Sequence, residues 1–319
     1  MCVCLILCIL TGDHRRCNRL SLSISANLIQ RDTRDSAVRG LALLGNSLFV
    51  LHSRQCNQLD ELDVGDFSVR RQLSVPAGEW RHLSDMASCN RRRRLYISHN
   101  MSNCVHVLAL ALVSGSAWSW ASWKMHGSPW GLSVTTDTGN LLVTMRYDAR
   151  VDEYSPQGQR LRSVDLSGSG VLSLWHAVQL SSAPSAPEHL VVGHGDRQDT
   201  SVRVGVLDVV NGIGEGKMWY GGGPSSSGGD LLSRPQHLAI DSNGTLAVAD
   251  VYNDRVLLFD DRLRRIGVVG GLEIDRATGW IVTRVCWIEQ QLCVAEARVS
   301  DSKFKKSRLS LYELSSGRI

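Results

Sequence analysis

The chain has 319 residues, 43% of them hydrophobic and 21% charged, with a formal net charge of +4. This is globular composition, which excludes a disordered chain, and the length suits one large repeat or all-β domain. The small net charge neither demands nor excludes a nucleic-acid partner, because local clustering of charge matters more than its total.

In chain order, the first ten residues, MCVCLILCIL, are apolar but much shorter than the ~20 residues of a membrane helix. No basic residue precedes them and no A-x-A pattern follows, so residues 1–18 read as a tail or a weak signal. Nine cysteines, an odd count, exclude a fully paired set of disulfides and lean towards a reducing compartment. Cys286 and Cys293 should face each other across a tight hairpin as buried thiols. A cytoplasmic location is expected, with secretion as the alternative. Asn100 and Asn243 stand in N-x-S/T sequons that matter only in the second case. No membrane span is expected, and residues 19–319 read as a single, monomeric domain.

The next segment, LSLSISANLI from Leu20 to Ile29, alternates with period two and reads as a spare strand. After it, similar units follow one another. GNLLVTMRYDARVDEY, from Gly139, aligns without a gap with GTLAVADVYNDRVLLF, from Gly244. Upstream of them stand Pro129-Trp130-Gly131-Leu132 and Pro235-Gln236-His237-Leu238. Weaker copies place equivalent landmarks near Gly40, His82, Gly131, His176, His237 and Arg284, recurring roughly every 42–60 residues. That spacing fits one four-stranded blade each. The expectation is an all-β, six-bladed propeller whose three-stranded last blade is completed by the N-terminal strand, removing exposed sheet edges. Gly221–Gly229 reads as a loop, and Arg91–Arg94 as a solvated turn on the lower face.

The stretch RPQHLAIDSNGTLAVADVYNDRVLLFD resembles the NHL repeat at Pro235, Ala239, Asp241, Gly244, Val248, Asp250, Asn253, Arg255 and Phe259. The unit from Gly139 departs from the pattern, with Met145 at the acidic position and Asp148 near the asparagine position. The resemblance extends to the propellers of tripartite-motif proteins and implies ligand binding on the upper face. Protein or single-stranded RNA are the partners it suggests. It also implies that Arg150 and Arg255 brace their loops.

On that upper face the expected binding residues are Arg54, Trp80, Trp130, Arg146, Tyr147, Arg197, Tyr252 and Lys303. Arginine and lysine would track phosphates while aromatic rings stack on bases or anchor a peptide. Asp148, Asp196, Asp199 and Asp254 would dilute the field. Trp175 and Trp280 stand near the same landmark, where packing between blades is the plainer explanation. His82, His176 and His237, from three blades, could share a zinc ion at the channel mouth. A metal-dependent hydrolase or lyase is therefore the alternative to a non-enzymatic binding module. The plainer reading of these histidines is a local hydrogen bond at a position where glycine also occurs.

Overall fold

The computed structural model describes residues 23–34, 36–52, 58–74, 83–110, 118–180, 188–195, 202–222, 231–270, 279–300 and 303–317. Its regular structure is almost wholly β. An N-terminal strand, β1 (Ser23–Arg34), precedes a series of antiparallel meanders. The first meander comprises β2 (Val38–Leu44), β3 (Ser47–His52), β4 (Gln58–Asp63) and β5 (Val69–Ser74). The next holds β6 (Leu83–Cys89), β7 (Arg94–His99), β8 (Cys104–Leu110) and β9 (Trp118–Lys124). β10 (Pro129–Val134), β11 (Leu141–Met145), β12 (Arg150–Tyr154) and β13 (Arg160–Asp165) follow. Then come β14 (Leu174–Leu180), β15 (Glu188–His194), β16 (Arg203–Val210) and β17 (Ile213–Tyr220). After them lie β18 (Pro235–Ile240), β19 (Leu246–Asp250), β20 (Arg255–Phe259) and β21 (Arg265–Gly270). The chain ends in β22 (Trp280–Ile288), β23 (Gln291–Ser300) and β24 (Lys303–Gly317).

β1 lies antiparallel to β24, from Ser23 opposite Gly317 to Arg34 opposite Ser307. The spare N-terminal strand thus adds itself to the C-terminal three, as its alternation suggests, although it runs five residues beyond Ile29. The first strands of the meanders pack in a cycle, from β2 through β6, β10, β14, β18 and β22 back to β2. This is a propeller-like arrangement around a central channel.

Burial follows position in each meander. β11 (LLVTM) and β19 (LAVAD) are buried throughout, because both faces of a second strand meet neighbouring sheets. The outer strand β9 (WSWASWK) is mostly half-buried or exposed. Apolar residues pack between neighbouring meanders: Phe49 and Leu51 meet Met86 and Leu95, and Val143 meets Tyr96. The seam between the two ends of the chain is built the same way, with Leu48 and Val50 against Cys293 and Leu309. Cys286 pairs in register with Cys293, and both are free thiols. Burial pushes the Cys286 thiol up to about 12 and the Cys293 thiol well above its usual range.

Several residues of the repeat unit around Asp250 act as braces. Asp250 is fully buried and accepts hydrogen bonds from the Ser233 and Arg234 amides, Asn253 Nδ2 and Arg255 Nε. Asn253 and Arg255 also donate to the Leu231 carbonyl. In the unit where Met145 replaces the acid, Arg150 instead finds Asp152 at 3.2 Å and Asp148 at 3.1 Å. The brace survives with its carboxylate moved along the chain. In the arginine run, Arg91 donates to the Asp137 carbonyl at 3.2 Å and Arg94 to the Pro156 carbonyl. These two residues tie neighbouring meanders together, so the turn is more than a solvated rim. Gly223–Gly229 of the glycine/serine stretch lie outside the described residues.

Candidate channel mouth and buried channel layer

Each first strand carries a bulge near its start. The pairing register skips a residue between Val38 and Gly40, Leu83 and Asp85, Leu174 and His176, Pro235 and His237, and Val282 and Arg284. In β10 it is disturbed between Pro129 and Leu132. A bulge turns side chains off the pleat, and here it aims some at the channel and others at the mouth above it.

The channel position is therefore Gly40, Asp85, Gly131, His176, His237 and Arg284. The sequence landmark agrees everywhere except in the second meander, where Asp85 takes the place expected for His82. His82 itself lies outside the described residues. Glycine makes room in this layer: a Cβ on Gly131 would lie 2.5 Å from the Trp175 carbonyl and 2.8 Å from the His176 ring.

The four polar side chains form one buried network. Asp85 is 2% exposed, and its carboxylate lies 3.1 Å from Arg284 Nε, 3.2 Å from His176 Nε2 and 3.5 Å from His237 Nε2. The Leu132 amide adds a hydrogen bond at 3.0 Å. His176 Nε2 also donates to the Leu132 carbonyl at 2.9 Å, which fixes the proton on that nitrogen. Arg284 donates further to the Thr283 and Ser84 carbonyls. Although burial opposes ionisation, His237, the Arg284 guanidinium and the hydrogen bond from His176 hold the Asp85 carboxyl well below the usual range. Burial lowers the Arg284 guanidinium, against the pull of Asp85. It also lowers the His237 imidazole to about 4, with Asp85 acting in the opposite sense.

The expected zinc site includes His82, which lies outside the described residues, so the layer bears only on the set of Asp85, His176 and His237. Asp85, His176 and His237 do present donor atoms within 4.8 Å of one another. However, Arg284 already supplies the positive charge opposite Asp85, and both carboxylate oxygens are engaged. A metal would have to displace a buried guanidinium, so the residues do not fit a metal centre as they stand.

Two cavities flank the layer. The lower one, about 590 Å³, is lined mainly by apolar residues such as Leu41, Met86, Leu132, Val178 and Leu238. The upper one, about 420 Å³, is lined by Arg39, Arg146, Arg234 and Arg284 with Trp130, Gln236 and Tyr252. No carboxylate is among its described lining residues. The Arg146 guanidinium lies 3.5 Å from the Trp175 ring centroid and 4.6 Å from that of Trp130. Arg234 stacks on Trp175 at 4.0 Å and donates to the Tyr252 hydroxyl at 2.7 Å. Trp175 is fully buried and donates Nε1–H to the Gly195 carbonyl at 2.7 Å. It is the platform on which two arginines lie, a use of tryptophan favoured by its ring quadrupole.

Of the expected binding residues, the structure brings Trp130, Arg146, Tyr147 and Tyr252 to this mouth. Tyr147 is exposed, with its ring 6.5 Å from Trp130. Arg54, Trp80 and Arg197 lie outside the described residues. Lys303 opens β24, and its side chain also lies outside them. Arg39, Arg234, Gln236, Asp85 and Arg284 were not among the expected binding residues. Arg234 hides as the residue before Pro235. Asp85 does leave a signal, as a lone acid within an otherwise apolar or small strand, LSDMASC.

No protein-family model matches the chain, and no curated protein matches it in sequence. Among solved structures it is similar in fold to virginiamycin B lyase from Staphylococcus aureus, with a TM-score of 0.57 and 9% identity over 91% of this chain and 99% of the lyase. A streptogramin B lyase is similar too, with a TM-score of 0.57 and 12% identity over 94% of this chain and 90% of the lyase. The chain therefore has the propeller-like fold of these lyases.

Proposed function

We propose that the chain is a six-bladed, NHL-type propeller and a binding module whose upper mouth takes single-stranded RNA. The closed cycle of first strands supports the blade count, and the Asp250, Asn253 and Arg255 brace supports the NHL-type reading. One observation carries the function: four arginines and two aromatic residues line a single cavity of about 420 Å³ with no carboxylate among its described lining residues. Arginine forks suit phosphate oxygens, and aromatic or guanidinium planes suit unstacked bases. Arg284 contributes less than the others, because Asp85 neutralises it. The volume lies within the range of small-ligand pockets, so the mouth would hold a nucleotide or strand end while neighbouring loops track the backbone.

The test is binding of single-stranded RNA by the full chain at two salt concentrations, beside an Arg146→Glu, Arg234→Glu double variant. Binding that weakens steeply with salt and disappears in the variant supports the proposal. No binding at low salt rejects RNA and leaves an acidic protein segment as the ligand to try.

A second reading, a hydrolase or lyase, draws support from the likeness to the two lyases. Its reacting centre would have to lie in the upper cavity, since Asp85 is already shared by Arg284, His176 and His237 in the buried layer. Incubation with virginiamycin B and mass analysis of the product would decide it. Turnover would replace the binding reading.

A further inference from the structure

The hairpin between β7 and β8 carries chemistry that the channel does not use. Its sequence is HNMSNCVH, from His99 to His106. His99 closes β7 and is the registered partner of Cys104, which opens β8. His106 lies two residues further along β8, so the pleat returns its side chain to the face of Cys104.

The donor atoms converge. Cys104 Sγ lies 3.4 Å from His106 Nε2, and His106 Nε2 lies 3.5 Å from His99 Nδ1. One donor atom from each residue falls within 4.8 Å of the others. A tetrahedral ion with nitrogen donors at about 2.0–2.1 Å and sulfur at about 2.3 Å holds its donors roughly 3.3–3.6 Å apart. Two edges of the triangle already have that length.

The surroundings hold these rings in place. His106 Nδ1 lies 2.7 Å from Ser122 Oγ on β9, which leaves Nε2 facing the cluster. The hairpin backbone is fixed by the Met125 amide on the Asn103 carbonyl at 2.8 Å and by Ser128 Oγ on the Asn100 carbonyl at 3.1 Å. His99 and Cys104 are buried, while Met101 and Ser102 at the tip are exposed, so the cluster sits just beneath solvent.

We propose that His99, Cys104 and His106 form a zinc site with three protein donors and a fourth position open to water or a ligand. One thiolate with two imidazoles suits zinc, whereas the hard cations prefer oxygen. On binding, the Cys104 thiol gives up its proton to solvent and its sulfur donates to the ion. The site stands apart from the channel layer, and it holds or fails independently of RNA binding.

The test is titration of the purified full chain with Co²⁺ as a spectroscopic substitute, followed by competition with Zn²⁺. A thiolate-to-cobalt charge-transfer band with intense visible bands, saturating at one ion per chain and erased by Zn²⁺, is expected. Cys104→Ser should abolish the charge-transfer band, and Ser122→Ala should weaken zinc affinity by about 10–100-fold. Absence of the band in the folded wild-type chain overturns the proposal, as does a band that persists in Cys104→Ser. Should Cys104→Ser fail to fold, alkylation of the wild-type chain decides instead. Zn²⁺ must protect the Cys104 peptide from iodoacetamide, and equal labelling with and without Zn²⁺ overturns the site.

Discussion

Arg284 Nε lies 3.1 Å from Asp85 Oδ1, joining residues 199 positions apart across the channel. Between their strands stands β2, whose channel position is Gly40, and a Cβ there would lie 2.5 Å from Met86 Cβ. The glycine brings β2 and β6 together closely enough for the arginine to reach past one strand to the next. The ion pair therefore fixes the spacing of three first strands at once. Asp85→Asn leaves a buried guanidinium without a counter-charge and should cost about 3–5 kcal/mol. Urea unfolding of wild type and variant measures this. A loss below about 1 kcal/mol would show that the pair contributes little to ring closure.

The same layer gives the protein an acid-sensitive stability. In the folded chain His237 stays neutral down to about pH 4, whereas its ordinary value is 6.5. Between these values the unfolded chain binds the extra proton, so stability falls as pH falls through the window. The slope reaches about 1.4 kcal/mol per pH unit, and the whole effect is on the order of 3 kcal/mol. Asp85, held well below its usual range, retains its contribution throughout this window and loses it only at lower pH. Urea melts at pH 7 and pH 4.5 should therefore differ strongly in wild type and much less in His237→Gln. Equal pH dependence in both proteins would assign the acid sensitivity elsewhere.

The channel layer also shows what was legible in the sequence. The repeat landmarks locate the position in every first strand but one, because a bulge recurs there and glycine or a polar residue follows it. In the second meander Trp80-Arg81-His82-Leu83 imitates Pro129-Trp130-Gly131-Leu132, which shifts the landmark three residues from Asp85. Pattern matching favours the aromatic and glycine-like signal, whereas the physical requirement is a polar residue inside a buried strand. The cluster of His99, Cys104 and His106 escapes for another reason. Its members lie on both sides of a hairpin turn, so the strand register brings them together and no familiar ligand spacing marks them. Arg150 and Arg255, by contrast, are read correctly as loop braces, because their partners lie within a few residues.

Asp250 offers a test of the brace. It accepts hydrogen bonds from two amides and two side chains while fully buried. Asp250→Ala strands those donors and should destabilise the chain by about 2–4 kcal/mol. Asp241→Ala, which removes hydrogen bonds to the Asn243 and Thr245 amides in a more accessible turn, should cost about 1 kcal/mol. Thermal or chemical unfolding of the two variants should rank them in that order. The reverse order would mean that the turn, and not the brace, holds this meander.

Arg234→Lys separates charge from shape at the mouth. The guanidinium lies 4.0 Å from the Trp175 ring centroid and bonds the Tyr252 hydroxyl, so its plane is set by both. Lysine keeps the charge but loses the fork and the stacking plane. If the mouth reads RNA, the variant should bind about 10-fold more weakly, with a salt slope close to that of wild type. Full retention of affinity would reduce Arg234 to a packing role on Trp175.

The final prediction concerns β1. Its pairing with β24 runs from Ser23 opposite Gly317 to Arg34 opposite Ser307, with one register shift between Leu28 and Gln30. It also touches β21 in parallel at Ile24 opposite Gly267, so it bridges the last two meanders. Removing residues 1–34 leaves the backbone donors and acceptors along this edge of β24 without their strand partner. An exposed edge of that length is a template for pairing with another chain. The truncated chain should lose the cooperative unfolding of the full protein and self-associate at micromolar concentration, while removal of residues 1–22 alone should not. Size-exclusion chromatography with light scattering distinguishes the two truncations. A monomeric, cooperatively folded 35–319 chain would show that β24 needs no partner and that the apolar seam of Leu48 and Val50 with Cys293 and Leu309 suffices to join the two ends.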